Sequence, residues 1–122
     1  MAWTVVFSDA FWPEFEAFGE DIQDEILAHA RLIETYGPHL GRPYVDTLKG
    51  SRYRNMKEIR MTVNRGEWRV AFAFAPDRNA VVLVAADKRG ISQTLFYSKL
   101  ITRADERFAA YVDGEAGYLK GK

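Results

Sequence analysis

The chain contains no cysteine, so disulfides and thiolate metal sites are both closed to it. It has no apolar run near the roughly 20 residues that a membrane-spanning helix needs. The opening Met-Ala-Trp-Thr lacks the basic segment and apolar stretch of an export signal, so a cytoplasmic location is the default expectation. Basic residues are nearly absent from the first forty positions. That segment holds eight acids (Asp9, Glu14, Glu16, Glu20, Asp21, Asp24, Glu25 and Glu34) against Arg31 alone, a net of −7. No low-complexity stretch, internal repeat or linker divides the 122 residues, so one domain over 1–122 is expected, with 113–122 a frayed tail.

What the first forty positions lack, the next sixty supply. Residues 41–103 hold thirteen Lys and Arg against five Asp and Glu, a net of +8, hidden in a total charge of zero. A basic face is the footprint of a polyanionic partner. Acids on exposed helix faces would point away from a sheet beneath them, leaving its charge uncancelled.

The pattern of apolar residues gives the elements. Trp3 to Phe7 (WTVVF) reads as a short strand. Ser8 or Asp9 then starts a short helix carrying Phe11, Phe15 and Phe18, with Pro13 in its first turn and Gly19 as its break. A second helix, Asp21 to Tyr36, presents Ile22, Ile26, Ala30 and Ile33 and stops at Gly37-Pro38. These helices form a hairpin whose apolar stripes must cover a sheet. Residues 37–55 show no sustained period and read as a long basic loop, pinned by Leu40, Tyr44, Val45 and Leu48. Strands follow at about 56–63, 68–75 and 80–86, with turns at Asn64-Arg65-Gly66-Glu67 and Pro76-Asp77-Arg78-Asn79. After Gly90 helical spacing returns, in one segment with Phe96, Leu100 and Ile101 and another with Ala104, Phe108, Tyr111 and Val112.

Pairing MKEIRMTV with WRVAFAFA puts Ile59, Met61, Val63, Trp68, Val70 and Phe72 on one face by strict alternation. The other face carries Glu58, Arg60, Thr62, Arg69, Ala71 and Ala73. A carboxylate and two guanidiniums beside small alanines suit a groove that grips a phosphate chain. Each residue also has a plainer use. Glu58 and Arg60 can be a solvated pair, Arg69 can lay its stem over Thr62, and Lys88-Arg89-Gly90 can be a basic turn.

The order β-α-α-β-β-β-α, with LGRPYVDTLKGSRYRNMKEIR, WRVAFAF, VVLVAADKRG and FYSKLI before a last helix, resembles the RelE/ParE superfamily of bacterial type II toxins. The words are closest to its HigB-like branch, including the phage-related members, and span residues 2–112. The resemblance implies a small α+β fold: an antiparallel sheet of about four strands, an N-terminal helical hairpin on one face and a C-terminal helix. It implies a metal-independent mRNA endonuclease, usually acting on ribosome-bound message, with no cofactor and with a helix-turn-helix antitoxin as partner. Such cleavage uses the RNA 2′-hydroxyl as nucleophile, so the site must remove a proton, stabilise charge on the phosphoryl oxygens and protonate the leaving 5′ oxygen.

On that footing Arg69 matches a strand arginine of RelE-like nucleases, with Arg60 near it at diagonal distance across a four-residue turn. Lys88 matches a basic catalytic residue at the end of the last strand, and Tyr97 a tyrosine that stacks on a base or aids proton transfer. The pattern departs from relatives that carry a lysine where this chain has Glu58, and neither His29 nor His39 falls on the groove strands. Glu58 is the first choice for general base and Tyr97 the second, with Lys57 contributing only if its strand starts irregularly. Arg52, Arg54, Lys57 and Arg89 are the expected RNA-binding cations. Two other readings stay open: a toxin fold that only binds an antitoxin, and a ParE-like gyrase inhibitor.

Overall fold

The computed structural model describes residues 3–115. A five-stranded sheet in the order β1-β5-β4-β3-β2 runs through them. Its strands are β1 (Thr4–Phe7), β2 (Val45–Thr47), β3 (Met56–Val63), β4 (Gly66–Phe74) and β5 (Asn79–Asp87). Three helices pack on it: α1 (Trp12–Ala17), α2 (Glu20–Tyr36) and α3 (Gln93–Ala110). A five-residue turn, Tyr111–Glu115, continues α3, so 113–115 are helical, and the rest of the expected tail lies outside the described residues.

Two details of the sheet correct the sequence reading. It is mixed rather than wholly antiparallel, because β1 runs parallel to β5, from Thr4 opposite Asn79 to Phe7 opposite Val82. No hairpin dictates the direction of β1, which is separated from its partner by most of the chain. The fifth strand, β2, sits inside the expected loop 37–55 and pairs antiparallel with β3, Val45 opposite Ile59. Three residues are too few for alternation to betray them.

The face predicted to be apolar is so, and α1 and α2 cover it. Phe11, Phe15, Ile22, Ile26 and Ile33 of the helical layer close over Ile59, Met61, Val63, Val70, Phe72, Phe74 and Val82. Pro13 lies in the first turn of α1, as read. Ser8 stands ahead of that helix, and its hydroxyl accepts from the Phe11 amide at 3.2 Å. Gly37 ends α2 at φ +56°, a conformation open to glycine at little cost.

The second face does not stay open. The two expected C-terminal helical segments are one helix, and Phe96, Leu100, Ala104 and Phe108 recur along it at helical spacing. Together with Tyr111 they bury Ala71, Ala73, Ala75, Val81 and Leu83. The alanines read as the floor of a groove are the seat of a helix. Side chains that short let α3 lie close on the sheet, and burying its stripe outweighs leaving the space to solvent.

Arg107 of α3 clips the two helical layers together around the sheet edge. It donates to both Glu14 oxygens, at 2.9 and 2.5 Å, and to the Leu83 carbonyl at 2.7 Å. The hydrogen bond from Arg107 holds the Glu14 carboxyl below the ordinary glutamate value, against the opposing push of burial. A carboxyl whose folded pKa is depressed stabilises above its unfolded pKa, and that contribution fades as pH falls through the folded value. Glu14→Gln is therefore expected to flatten the acid limb of stability between about pH 5 and 3. Thermal melts at stepped pH check this, and an unchanged limb would show that the clip adds nothing.

Candidate active site

The β3–β4 hairpin sets the geometry. Its turn is two residues, Asn64 and Arg65 at φ +51° and +68°, with Val63 opposite Gly66. Positive φ at both centres is the turn class whose twist matches paired strands. The turn is thus shorter than the expected four residues, and the register tightens accordingly. Arg60 stands directly opposite Arg69 rather than diagonal to it.

Both guanidiniums lie on the α3 side of the sheet, where four of the five expected catalytic residues meet. The Arg60 guanidinium donates to Glu58 Oε2 at 3.1 Å, and Tyr97 from the first turns of α3 donates its hydroxyl to Glu58 Oε1 at 2.8 Å. Arg69 Nε donates to the Tyr97 hydroxyl oxygen at 3.3 Å and lies 3.9 Å from Glu58 Oε1. A second Arg69 nitrogen donates to the Trp68 carbonyl at 2.9 Å and approaches Glu67 at 3.9 Å. The fifth, Lys88, follows β5 two residues after Ala86, the register partner of Arg69, and its amide donates to the Glu67 carbonyl at 2.9 Å.

Burial divides this cluster into an inside and an outside. The side chains of Arg69 and Glu58 are 4% and 6% exposed, and that of Arg60 is 27% exposed. Arg69 does not lie open to solvent as expected: it is buried, and its Nε is engaged by the Tyr97 hydroxyl from α3. Burial, reinforced by the Glu58 carboxylate, raises the Tyr97 pKa despite the opposing pull of Arg69. The phenol is therefore a neutral donor at physiological pH.

The expected RNA-binding cations scatter. Lys57 is opposite Phe72, on the α1–α2 face, and bonds Thr47 at 3.2 Å. Alternation holds from the first residue of β3, so Lys57 is turned away from Arg60 and Arg69. Arg89 is exposed but folds back on Asp87, at 2.8 and 3.0 Å. Burial pushes the Asp87 carboxyl up, but the Arg89 and Glu67 hydrogen bonds outweigh it, leaving a net lowering. Arg54 is exposed, and Arg52 lies over the Tyr53 ring at 5.5 Å.

Asp105 of α3 escaped the sequence reading. It accepts from the Ser51 hydroxyl at 2.5 Å and the Arg52 amide at 3.0 Å, so the basic loop is moored to the helix. A signal for it existed. Asp105 lies on the apolar stripe of α3, three residues before Phe108, where an acid needs a partner. Among the described residues no cluster of three or more His, Asp or Glu is placed to hold a metal ion.

The family described as "Phage derived protein Gp49-like" matches residues 13–109. The candidate toxin HigB2 of Mycobacterium tuberculosis is 44% identical over 88 residues, covering 71% of this chain and 43% of that protein. The chain thus spans less than half the length of that relative. The candidate toxin HigB3 of the same organism is 36% identical over 103 residues, covering 84% of this chain and 88% of that one. A mutant of the E. coli toxin RelE, solved in the free state, superposes with a TM-score of 0.64 over 88% of this chain and 98% of that one. At 13% identity this last likeness speaks for the fold alone.

Proposed function

The chain belongs to the Gp49-like family of the RelE superfamily, among its HigB-like toxins, and from that membership we propose that it is the RNA-cleaving toxin of a toxin–antitoxin pair. Its substrate is mRNA, engaged on the ribosome. The observation that carries the reading is the direct pairing of Arg60 with Arg69 on one face, with the Tyr97 hydroxyl and the Glu58 carboxylate between them.

The chemistry follows from what each group can do. The RNA 2′ oxygen attacks the adjacent phosphorus, the bond to the 5′ oxygen breaks, and the products are a 2′,3′-cyclic phosphate and a 5′-hydroxyl. Glu58 takes the 2′ proton once its oxygens leave the donors that hold them at rest. Arg60 and Arg69 hold the phosphoryl oxygens as negative charge builds there, a task suited to planar donors that stay charged. Lys88 gives a proton to the leaving 5′ oxygen. The active form needs Tyr97 to move off Arg69, and RNA enters from the side of the more exposed Arg60.

A helix-turn-helix antitoxin would silence the protein by covering this basic side or by docking on the helical layer behind it. Glu16, Glu20, Asp21 and Asp24 are exposed on that layer, across the sheet from Arg60 and Arg69.

The purified protein is expected to cut RNA in EDTA, on ribosomes or free, leaving 5′-hydroxyl and cyclic-phosphate ends. A single 2′-deoxy substitution at the cut position is expected to block it. Intact RNA in both settings, with supercoiling by gyrase poisoned instead, would replace this reading with the gyrase-directed one.

A further inference from the structure

Before RNA arrives, the cluster already holds an anion of its own. Glu58 receives a guanidinium on one oxygen and a phenol hydroxyl on the other, with a second guanidinium 3.9 Å away. Two arginines and a hydroxyl around two charged oxygens are the donor set a phosphodiester would use. At 6% side-chain exposure Glu58 is no solvated surface pair. Nor does the helix require a charge here, since it packs on Ala71, the cross-strand partner of Glu58 two residues along β4 from Arg69. Replacing buried ion pairs by apolar residues is commonly neutral or stabilising, so stability does not explain this one.

We infer that the Glu58 carboxylate occupies the RNA phosphate site and that substrate binds by exchange. A phosphodiester takes the Arg60 and Arg69 guanidiniums and the Tyr97 hydroxyl, and Glu58 turns out of its place. Carboxylate and phosphodiester each bring one negative charge and two terminal oxygens, so exchange leaves the charge of the site unchanged. Binding without exchange would force two anions onto one pair of arginines in a poorly solvated pocket. Arg60, the more exposed of the two arginines, marks the side of entry. Release from its donors also frees the Glu58 oxygens, which are both engaged in the resting protein. The inference rests on the reading of the chain as an RNA-binding toxin, and its test reads binding rather than cleavage.

The probe is a 2′-O-methyl oligonucleotide, which offers phosphates but no nucleophile. Wild type and Glu58→Gln are compared at several salt concentrations, with circular dichroism confirming that both are folded. The variant is expected to bind at least tenfold tighter, with a salt dependence steeper by about one phosphate contact. Equal or weaker binding, or none by either protein, would overturn the inference. Should Glu58→Gln fail to fold, wild type decides the matter. With saturating oligonucleotide, the carbon resonance of the Glu58 carboxyl and the Arg69 Nε resonance are expected to move together, and stationary signals in a formed complex would overturn it. Cleavage of ordinary RNA by wild type is scored separately, so a chain that binds as expected but cuts nothing refutes the nuclease alone.

Discussion

Arg69→Ala is expected to stop growth arrest and to lower RNA cleavage by about 10²- to 10³-fold, the loss typical of removing one donor aimed at developing charge. The same change also removes a buried cation, leaving Glu58, 6% exposed, with Arg60 as its remaining guanidinium partner. Breaking a buried pair in this way costs about 3–5 kcal/mol, so lost activity alone could be lost fold. Arg69→Lys separates the two. Lysine keeps the charge but lacks the planar fork that reaches both the Trp68 carbonyl and the Tyr97 hydroxyl. It is expected to fold, with a melting point near that of wild type, and to cut at least about tenfold more slowly. A folded Arg69→Ala protein that cuts at the wild-type rate would remove Arg69 from the mechanism.

The largest effect on stability is expected at Phe72. Its ring is fully buried in the C-terminal half of β4, edge-on to Phe74 at 5.4 Å and inside the layer formed by α1 and α2. Phe72→Ala removes the ring and leaves a cavity that the rigid sheet cannot close, at about 3–5 kcal/mol. That is a large share of the total stability of a domain this size, about 5–15 kcal/mol. Urea unfolding is the measurement, and a midpoint shift worth under about 1 kcal/mol would mean that the core collapses around the gap. The site is on the opposite side of the sheet, so a variant still folded at low temperature is expected to keep its cleavage chemistry.

Much of this arrangement was legible because period-two alternation is a local property. Met56–Val63 was read at its observed bounds, and the split between Ile59, Met61 and Val63 on one side and Glu58 and Arg60 on the other followed without knowledge of the partner strand. The stripe of α3 was equally visible in Phe96, Leu100, Ala104 and Phe108. What local pattern does not encode is which surface such a stripe will cover. Alanine at 71 and 73 makes room for a substrate and for a helix alike, and only the assembled chain decides between them. The hairpin register is hidden in the sequence for a different reason. Arginine is a poor advertisement for positive φ, so Asn64-Arg65 does not announce the tight turn that Asn-Gly would. The parallel partnership of β1 joins residues some seventy-five positions apart, Thr4 with Asn79, beyond the reach of any window.

The tight tip at Asn64 and Arg65 carries a consequence for how relatives can drift. Because side chains on paired strands alternate sides, an extra residue at the tip that the loop does not take up would slide β4 against β3 by a single step. That slide would turn the aromatic ring of Trp68 toward α3 and at the same time drive Arg69 among the phenylalanines of the helical layer. A length change at this hairpin is therefore tolerable only where the loop or a bulge takes it up and leaves Arg60 opposite Arg69. Homologues that retain both arginines should keep them opposite one another whatever the length of the tip.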